Sequence, residues 1–188
     1  MQFYLYIYFI LCIFANKNYN HNMTLNYYKF FIQKESKDAK VIDTVKEFGM
    51  YEMSSVFYGG GMVEDIPSRS WHDEDGDDEF VPPKQKYKAY EMNVRFGFHN
   101  KFNTANSAID KFMDFLNGGT MKIYDSYHKF GRQNVRFMGI PDDAELIRHP
   151  QKGDLLFINV KFKVNDPVTE VIKELDSDGN VTALKVKE

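Results

Sequence analysis

The sequence predicts a mainly β domain with one packed α-helix, an α+β fold, on three observations. From Tyr90 to Phe98 every second residue is apolar (Tyr90, Met92, Val94, Phe96, Phe98), with Glu91, Asn93 and Arg95 among the residues between. A period of two marks a strand with one buried and one wet face. Ala105, Ala108, Ile109, Phe112, Phe115 and Leu116 then fall on one side of a helix, with Asn103 and Thr104 as candidate N-caps and Gly118-Gly119 as its stop. A second alternation, Ile158, Val160, Phe162 and Val164, runs into Asn165-Asp166-Pro167, where proline withdraws a ladder donor. Each apolar face needs another to leave water, so Met92, Val94, Phe96, Ile109, Phe112, Leu116, Ile158, Val160 and Phe162 are the expected core.

The remaining elements follow in chain order. Phe3 to Ala15 is an apolar, aromatic run of about thirteen residues, shorter than the roughly 20 that a spanning helix needs. No Lys or Arg precedes it, and Ile13-Phe14-Ala15 is a poor cleavage site for a secretory signal. Its residue types are those that AT-rich DNA encodes by default, and Met23 begins a more ordinary sequence. Residues 1–22 are therefore set apart as an overextended start or a signal-like segment, and residues 23–188 are read as one domain. Leu25 to Ile32 suggests a first strand, Gln33 to Lys40 a polar stretch, and Val41 to Tyr51 a helix or a strand. Gly59-Gly60-Gly61 breaks the chain, and Ile66 to Pro83 is a long polar connection punctuated by Pro67, Pro82 and Pro83. Met121 to Tyr124 and Gln133 to Met138 read as strands joined across Asp125 to Arg132. Val168 to Leu175 and Val181 to Val186 flank Asp176-Ser177-Asp178-Gly179-Asn180, the turn of a C-terminal hairpin over residues 168–188.

With 188 residues, 43% of them hydrophobic and 27% charged, the chain has the makings of one domain with a sizeable core. A net charge of -3 gives no basic footprint, so sequence-specific nucleic-acid binding is not expected. Cys12 is the sole cysteine, which excludes an intrachain disulfide and a cysteine-based zinc site. The acidic run Asp73 to Glu79 carries oxygen ligands that suit Ca²⁺. Its spacing is wrong for an EF-hand, because aligning Asp73, Asp75 and Asp77 on the first ligand positions puts Asp78 where glycine is required; a solvated acidic loop is expected. The Asp176 to Asn180 cluster fails the same test, with Lys185 at the last ligand position. Histidines 21, 72, 99, 128 and 149 are scattered, and there is no Gly-x-Ser-x-Gly elbow or phosphate loop. No catalytic residue, cofactor or metal site is expected, and the 17 Phe and 12 Tyr are assigned to core and interface packing.

The order of features resembles a family. Phe48-Gly49-Met50, an acidic turn around Asp75-Gly76-Asp77, a strand with Tyr87, Tyr90 and Phe96, the helix Thr104 to Leu116, then Met121-Lys122-Ile123-Tyr124-Asp125, Gly131-Arg132 and Asn165-Asp166-Pro167 form an ordered set over roughly Asp43 to Val171. It resembles the distal tail proteins of long-tailed bacteriophages, in particular tail-component proteins of phages and prophages of gut Bacteroides. The resemblance implies a β-sandwich or split barrel similar to the tail-tube fold. It further implies a virion structural protein and not an enzyme, forming a hexameric ring that joins tail tube to baseplate, located in the virion tail and in host cytoplasm during assembly. The sequence departs from many relatives in having no counterpart of their larger C-terminal domain, which leaves a tail-completion or head-tail joining role as an alternative. From another class, a secreted carbohydrate- or calcium-binding β-module would make residues 1–22 a true signal. The interface candidates are Trp71, Asp73, Asp75 and Asp77 on the long polar connection, with Tyr124 and Arg132 from the ordered set; no membrane partner is expected for the mature domain.

Overall fold

A computed structural model describes residues 29–55, 63–73, 75–141 and 144–187. The expectations for residues 1–22, for the Met23 start, for 25–28 of the first strand and for Gly59-Gly60-Gly61 lie outside the described residues. The chain runs β1 (Phe30–Lys34), β2 (Val41–Asp43), α1 (Thr44–Phe48), β3 (Met50–Ser55), β4 (Ser68–Ser70), β5 (Asp77–Glu79), β6 (Tyr90–Asn100), α2 (Ala105–Leu116), β7 (Met121–Asp125), β8 (Phe130–Gly139), β9 (Glu145–His149), β10 (Gly153–Val164), β11 (Glu170–Leu175) and β12 (Val181–Val186).

The main sheet is antiparallel in the order β2-β1-β7-β8-β10-β6-β3, with β9 beside β10 and the β11–β12 hairpin beside β8. Two strands change partner along their length. β10 pairs with β9 at Gly153–Phe157 and with β8 at Lys161–Val164, so the break after Gly139 splits one edge between two strands. In turn β8 meets β10 at Val135 and β11 at Arg132, with Asn134 at positive φ between them. Such irregularities bend a sheet. Closure has a further cause: the two ends of the sheet, β2 and β3, are consecutive in the chain and joined only by the single turn α1. The sheet must therefore curl until its ends approach. Asp43 caps α1 by accepting from the N–H groups of Val45 and Lys46, and Gly49, at φ 68, ends it in the left-handed conformation that glycine adopts freely.

The main core fills the curled sheet and seats α2. Phe30 and Ile32 of β1, Met92, Val94, Phe96 and Phe98 of β6, Met121 and Ile123 of β7, and Leu156, Ile158, Val160 and Phe162 of β10 are all buried there with Phe112 and Leu116. Phe96 sits edge-on between Phe30 and Phe112, at ring distances of 5.4 and 5.2 Å. All nine expected core residues belong to this cluster, Ile109 half-buried. A smaller core on the other face of β1 and β7 gathers Phe31, Tyr124, Val171 and Leu184 under the C-terminal hairpin.

The helix differs from expectation at its start. Thr104 is the N-cap residue, but its hydroxyl donates to the Lys101 carbonyl, and Asn103 takes positive φ. The capping acceptor comes instead from β10: Asp154 Oδ2 takes the N–H groups of Thr104 at 2.9 Å and Ala105 at 3.2 Å. Burial pushes the Asp154 carboxyl up, and the N–H groups of Ala105, Asn103 and Thr104, with the charge of Arg148, outweigh it and hold the group below its usual range. At the other end Lys34 Nζ donates to the carbonyls of Leu116 and Gly118. An anion at the N-terminus and a cation at the C-terminus both complement the helix dipole.

Other boundaries shift for local reasons. Val41–Tyr51 is strand, helical turn and strand in succession. Ile66–Pro83 is not wholly a loop but contains the hairpin β4–β5. β9 and the first half of β10 carry no period-two signal, because Glu145–His149 is exposed or half-buried without alternation and Leu155–Phe157 is buried on both faces. The turn expected over Asp125 to Arg132 is shorter, since Asp125 and Phe130 already pair.

Truncating Phe112 should cost about 3–5 kcal/mol, as aromatic deletions from packed cores do. Urea unfolding of Phe112→Ala checks it, and an unchanged midpoint would mean that α2 does not rest on this ring.

Candidate functional site

Three groups of residues stand out, and the most deeply buried lies where the curled sheet closes. A β-bulge in β3 shifts the register against β6 between Glu52 and Ser54. The extra residue puts positions 52 and 55 on one side of the strand, where regular alternation would separate them. Both then reach Asp125, the last residue of β7. Ser55 Oγ donates to Asp125 Oδ2 at 2.9 Å, and Asp125 Oδ1 accepts the Tyr127 N–H at 2.7 Å in an Asx turn. His128, three residues on, presses Nδ1 against Asp125 Oδ2. One donor atom each from Glu52, Asp125 and His128 lies within 4.8 Å of the others.

Asp125 is wholly buried and Glu52 is 3% exposed. Burial pushes the Glu52 carboxyl up to about 8, helped by its hydrogen bond to Asp125 and by that group's charge, against a smaller opposing bond from Ser55. Ser55, His128 and Asp125 do not make a nucleophile relay. A triad needs the serine on one imidazole nitrogen and the carboxylate on the other. Here Ser55 donates to the carboxylate and approaches, at 3.4 Å, the same Nδ1 that faces Asp125.

The second group is the β4–β5 hairpin, exposed along both strands. Trp71 follows β4 and is 40% exposed, so it belongs to neither core. Its Nε1 donates to Asp78 Oδ2 at 3.0 Å, and the Arg69 guanidinium stacks 3.7 Å from the ring centroid. Phe80 and Val81 just beyond are also exposed. Asp73, Asp75 and Asp77 face solvent. Among the described residues, the acid and histidine side chains that gather three donor atoms are Glu52, Asp125 and His128, not this acidic run.

The third group holds Tyr124 and Arg132, the two interface candidates from the ordered set, and the subunit covers both. Tyr124 is 4% exposed in the second core, with the Lys173 ammonium 5.8 Å from its ring centroid. Arg132, 1% exposed, stacks on Phe130 and donates from Nη1 to the carbonyls of Val168 and Thr169. It thereby fixes the passage from β10 to β11. Asp166 fixes the same passage from the other side, accepting from Gln133 Nε2 and the N–H groups of Val168 and Thr169. Neither Tyr124 nor Arg132 offers a neighbouring chain more than a trace of surface. Gly131 shows how tight the region is: a Cβ there would lie 2.4 Å from the Ile123 carbonyl oxygen.

No protein-family model matches the chain, and comparison with curated proteins finds no match. Among solved structures, the fold is similar to the crystal structure of the SPP1 Dit protein (gp 19.1), described as a paradigm of the hub adsorption apparatus in phages that infect Gram-positive bacteria. The TM-score is 0.50 at 12% sequence identity, over 76% of this chain and 52% of that one. The likeness is one of fold, and this chain spans about half the length of that protein. Mostly antiparallel sheet with one well-packed helix is therefore both the expected and the observed architecture.

The Asp166 knot predicts an acid limb in stability. Partial burial raises this carboxyl, but the hydrogen bonds from Gln133, Thr169 and Val168 outweigh it and hold the group at about 2, against 3.8 for an unperturbed aspartate. A depressed pKa contributes stability above the unfolded value and loses it as pH falls through the folded one. Melting temperature should thus decline between about pH 4 and pH 2, and Asp166→Asn should flatten that part of the curve while lowering it at pH 7.

Proposed function

We propose that this chain is a structural protein of a long-tailed phage or prophage, a homo-oligomeric ring, expected to be a hexamer, between tail tube and baseplate. The observation that carries the reading is the fold shared with the SPP1 Dit protein over 76% of this chain. It converges with the ordered set of sequence features from Asp43 to Val171. An origin in phages of gut Bacteroides rests on the sequence resemblance alone. The proposed location is the virion tail, with assembly in the host cytoplasm, and no chemical step is assigned to the protein.

The physical requirements of a ring subunit support the reading. Such a subunit needs a stiff body and a projecting contact. The body is the curled sheet with its two cores, and the best contact is the exposed β4–β5 hairpin, where Trp71 and Arg69 stack on each other and Phe80 and Val81, which follow β5, are also exposed. Trp and Arg are the side chains that most often dominate interfaces. Asp73, Asp75 and Asp77 would then form an acidic rim around that anchor. A net charge of -3 suits a ring through which DNA passes without being gripped.

Trp71→Ala should weaken ring formation or docking by about 2 kcal/mol, close to 30-fold in affinity, while the subunit stays folded. Native mass spectrometry and sedimentation read the ring, and circular dichroism reads the fold. A wild-type chain that stays monomeric at high concentration would end the ring reading. Neighbouring genes for a tape-measure protein and a baseplate or fibre protein would favour the distal position over the head-tail joint.

A further inference from the structure

We propose that Glu52, Asp125 and His128 form a binding site for a divalent transition-metal cation of the Zn²⁺ or Mn²⁺ class, which cross-links the end strand β3 to β7 across the curled sheet. The inference stands independently of the tail reading. Geometry comes first. The three donor atoms, two carboxylate oxygens and one imidazole nitrogen, all lie within 4.8 Å of one another. Ligands held about 2.0–2.2 Å from a tetrahedral or octahedral ion sit roughly 3 to 4.3 Å apart, so an ion would draw Glu52 in and part the His128 Nδ1–Asp125 Oδ2 contact, both side-chain movements of the order of an ångström.

The second observation is an orphan oxygen. Glu52 is 3% exposed, yet its Oε2 is buried with no hydrogen-bond partner. Buried carboxylate oxygens are ordinarily satisfied, and one left over costs free energy unless something fills the position. Among the described residues, the one ion pair made by either carboxylate is that of His128 with Asp125. A divalent cation among the two interior carboxyls and the imidazole would give Glu52 Oε2 a partner.

The surroundings are built for a ligand. Tyr127 N–H and Ser55 Oγ hold the two oxygens of Asp125, an outer shell of the kind that orients metal ligands. The His128 side chain is 36% exposed, so the site opens to solvent on the imidazole side, with the two carboxylates beneath. One imidazole with two carboxylates suits Zn²⁺, Mn²⁺ or Fe²⁺, whereas Ca²⁺ and Mg²⁺ seek oxygen alone. Glu52 lies on β3 and the other two at the end of β7 and in its turn, so a bound ion adds a covalent-like tie where the sheet has only side-chain contacts.

The test is calorimetry on the full chain, stripped with EDTA and titrated with Zn²⁺, Mn²⁺, Ca²⁺ and Mg²⁺ in turn. One equivalent of Zn²⁺ or Mn²⁺ should bind, and at a hundredfold excess over Kd should raise the melting temperature by roughly 5–10 °C. His128→Ala, a change at an exposed position, should lower that affinity at least about 100-fold with the circular dichroism unchanged. Glu52→Gln, which keeps the shape, should do the same, and His99→Ala should leave binding intact. Absence of saturable binding by Zn²⁺ and Mn²⁺, unchanged binding by folded His128→Ala, or tighter binding of Ca²⁺ than of Zn²⁺ would each overturn the proposal.

Discussion

The rest of the structure depends on one chain constraint: β2 and β3, the opposite ends of a seven-strand path, are separated by the single turn α1. A flat sheet of that width cannot have its two ends joined by one helical turn, since neighbouring strands add nearly 5 Å each. The sheet has to close on itself, and its interior then has the volume that Phe30, Phe96, Phe112 and Phe162 fill. α2 is held over that interior by groups from two strands far apart in sequence, Asp154 from β10 and Lys34 from β1. The lysine is itself partly desolvated, which lowers its pKa.

Closure at the far end is made by side chains, and this explains why polar groups are buried there. Glu52 and Ser55 reach across from β3 to Asp125, where backbone ladder bonds do not link the two strands. A hydrophobic pair would close the gap more cheaply than two carboxyls, since burying charge costs more than its pairing usually returns. Polar closure has a compensation in specificity, because the bulge in β3, the Asx turn of Asp125 and the position of His128 must all be correct for it to form.

What was legible in the sequence follows from what has a period. β6, α2 and the second half of β10 each bury one face against one wet face, so Met92, Val94, Phe96, Phe112 and Phe162 announced themselves. β1 did so less well, because Phe30 and Ile32 enter one core while Phe31 enters the other, which erases the alternation. The C-terminal hairpin was readable from its turn: Asp176 accepts the N–H groups of Asp178 and Asn180, and Gly179 sits at φ 79. The closure cluster was not readable, since Glu52 and Asp125 are far apart in the chain and neither lies in a metal or catalytic motif. The available signal was Glu52 itself, two positions from Met50 on a buried face. The Asp154 cap was hidden in the same way, supplied across space to a helix whose own Thr104 looked sufficient.

The burial of Arg132 and Tyr124 shows how the chain divides its side chains between interior and surface. Both belong to the ordered set of sequence features, and both are consumed inside the subunit, tying β8 to the β10–β11 passage and lining the second core. Trp71, Phe80 and Val81 are the reverse case: large apolar groups on a small hairpin that shares no ladder with the main sheet and so contributes little to the body. On the proposed ring reading, the side chains that specify the fold and those left for assembly would be largely different sets. Substitutions on the hairpin, which shares no ladder with the main sheet, should leave that sheet folded, whereas substitutions around Arg132 act on the fold first.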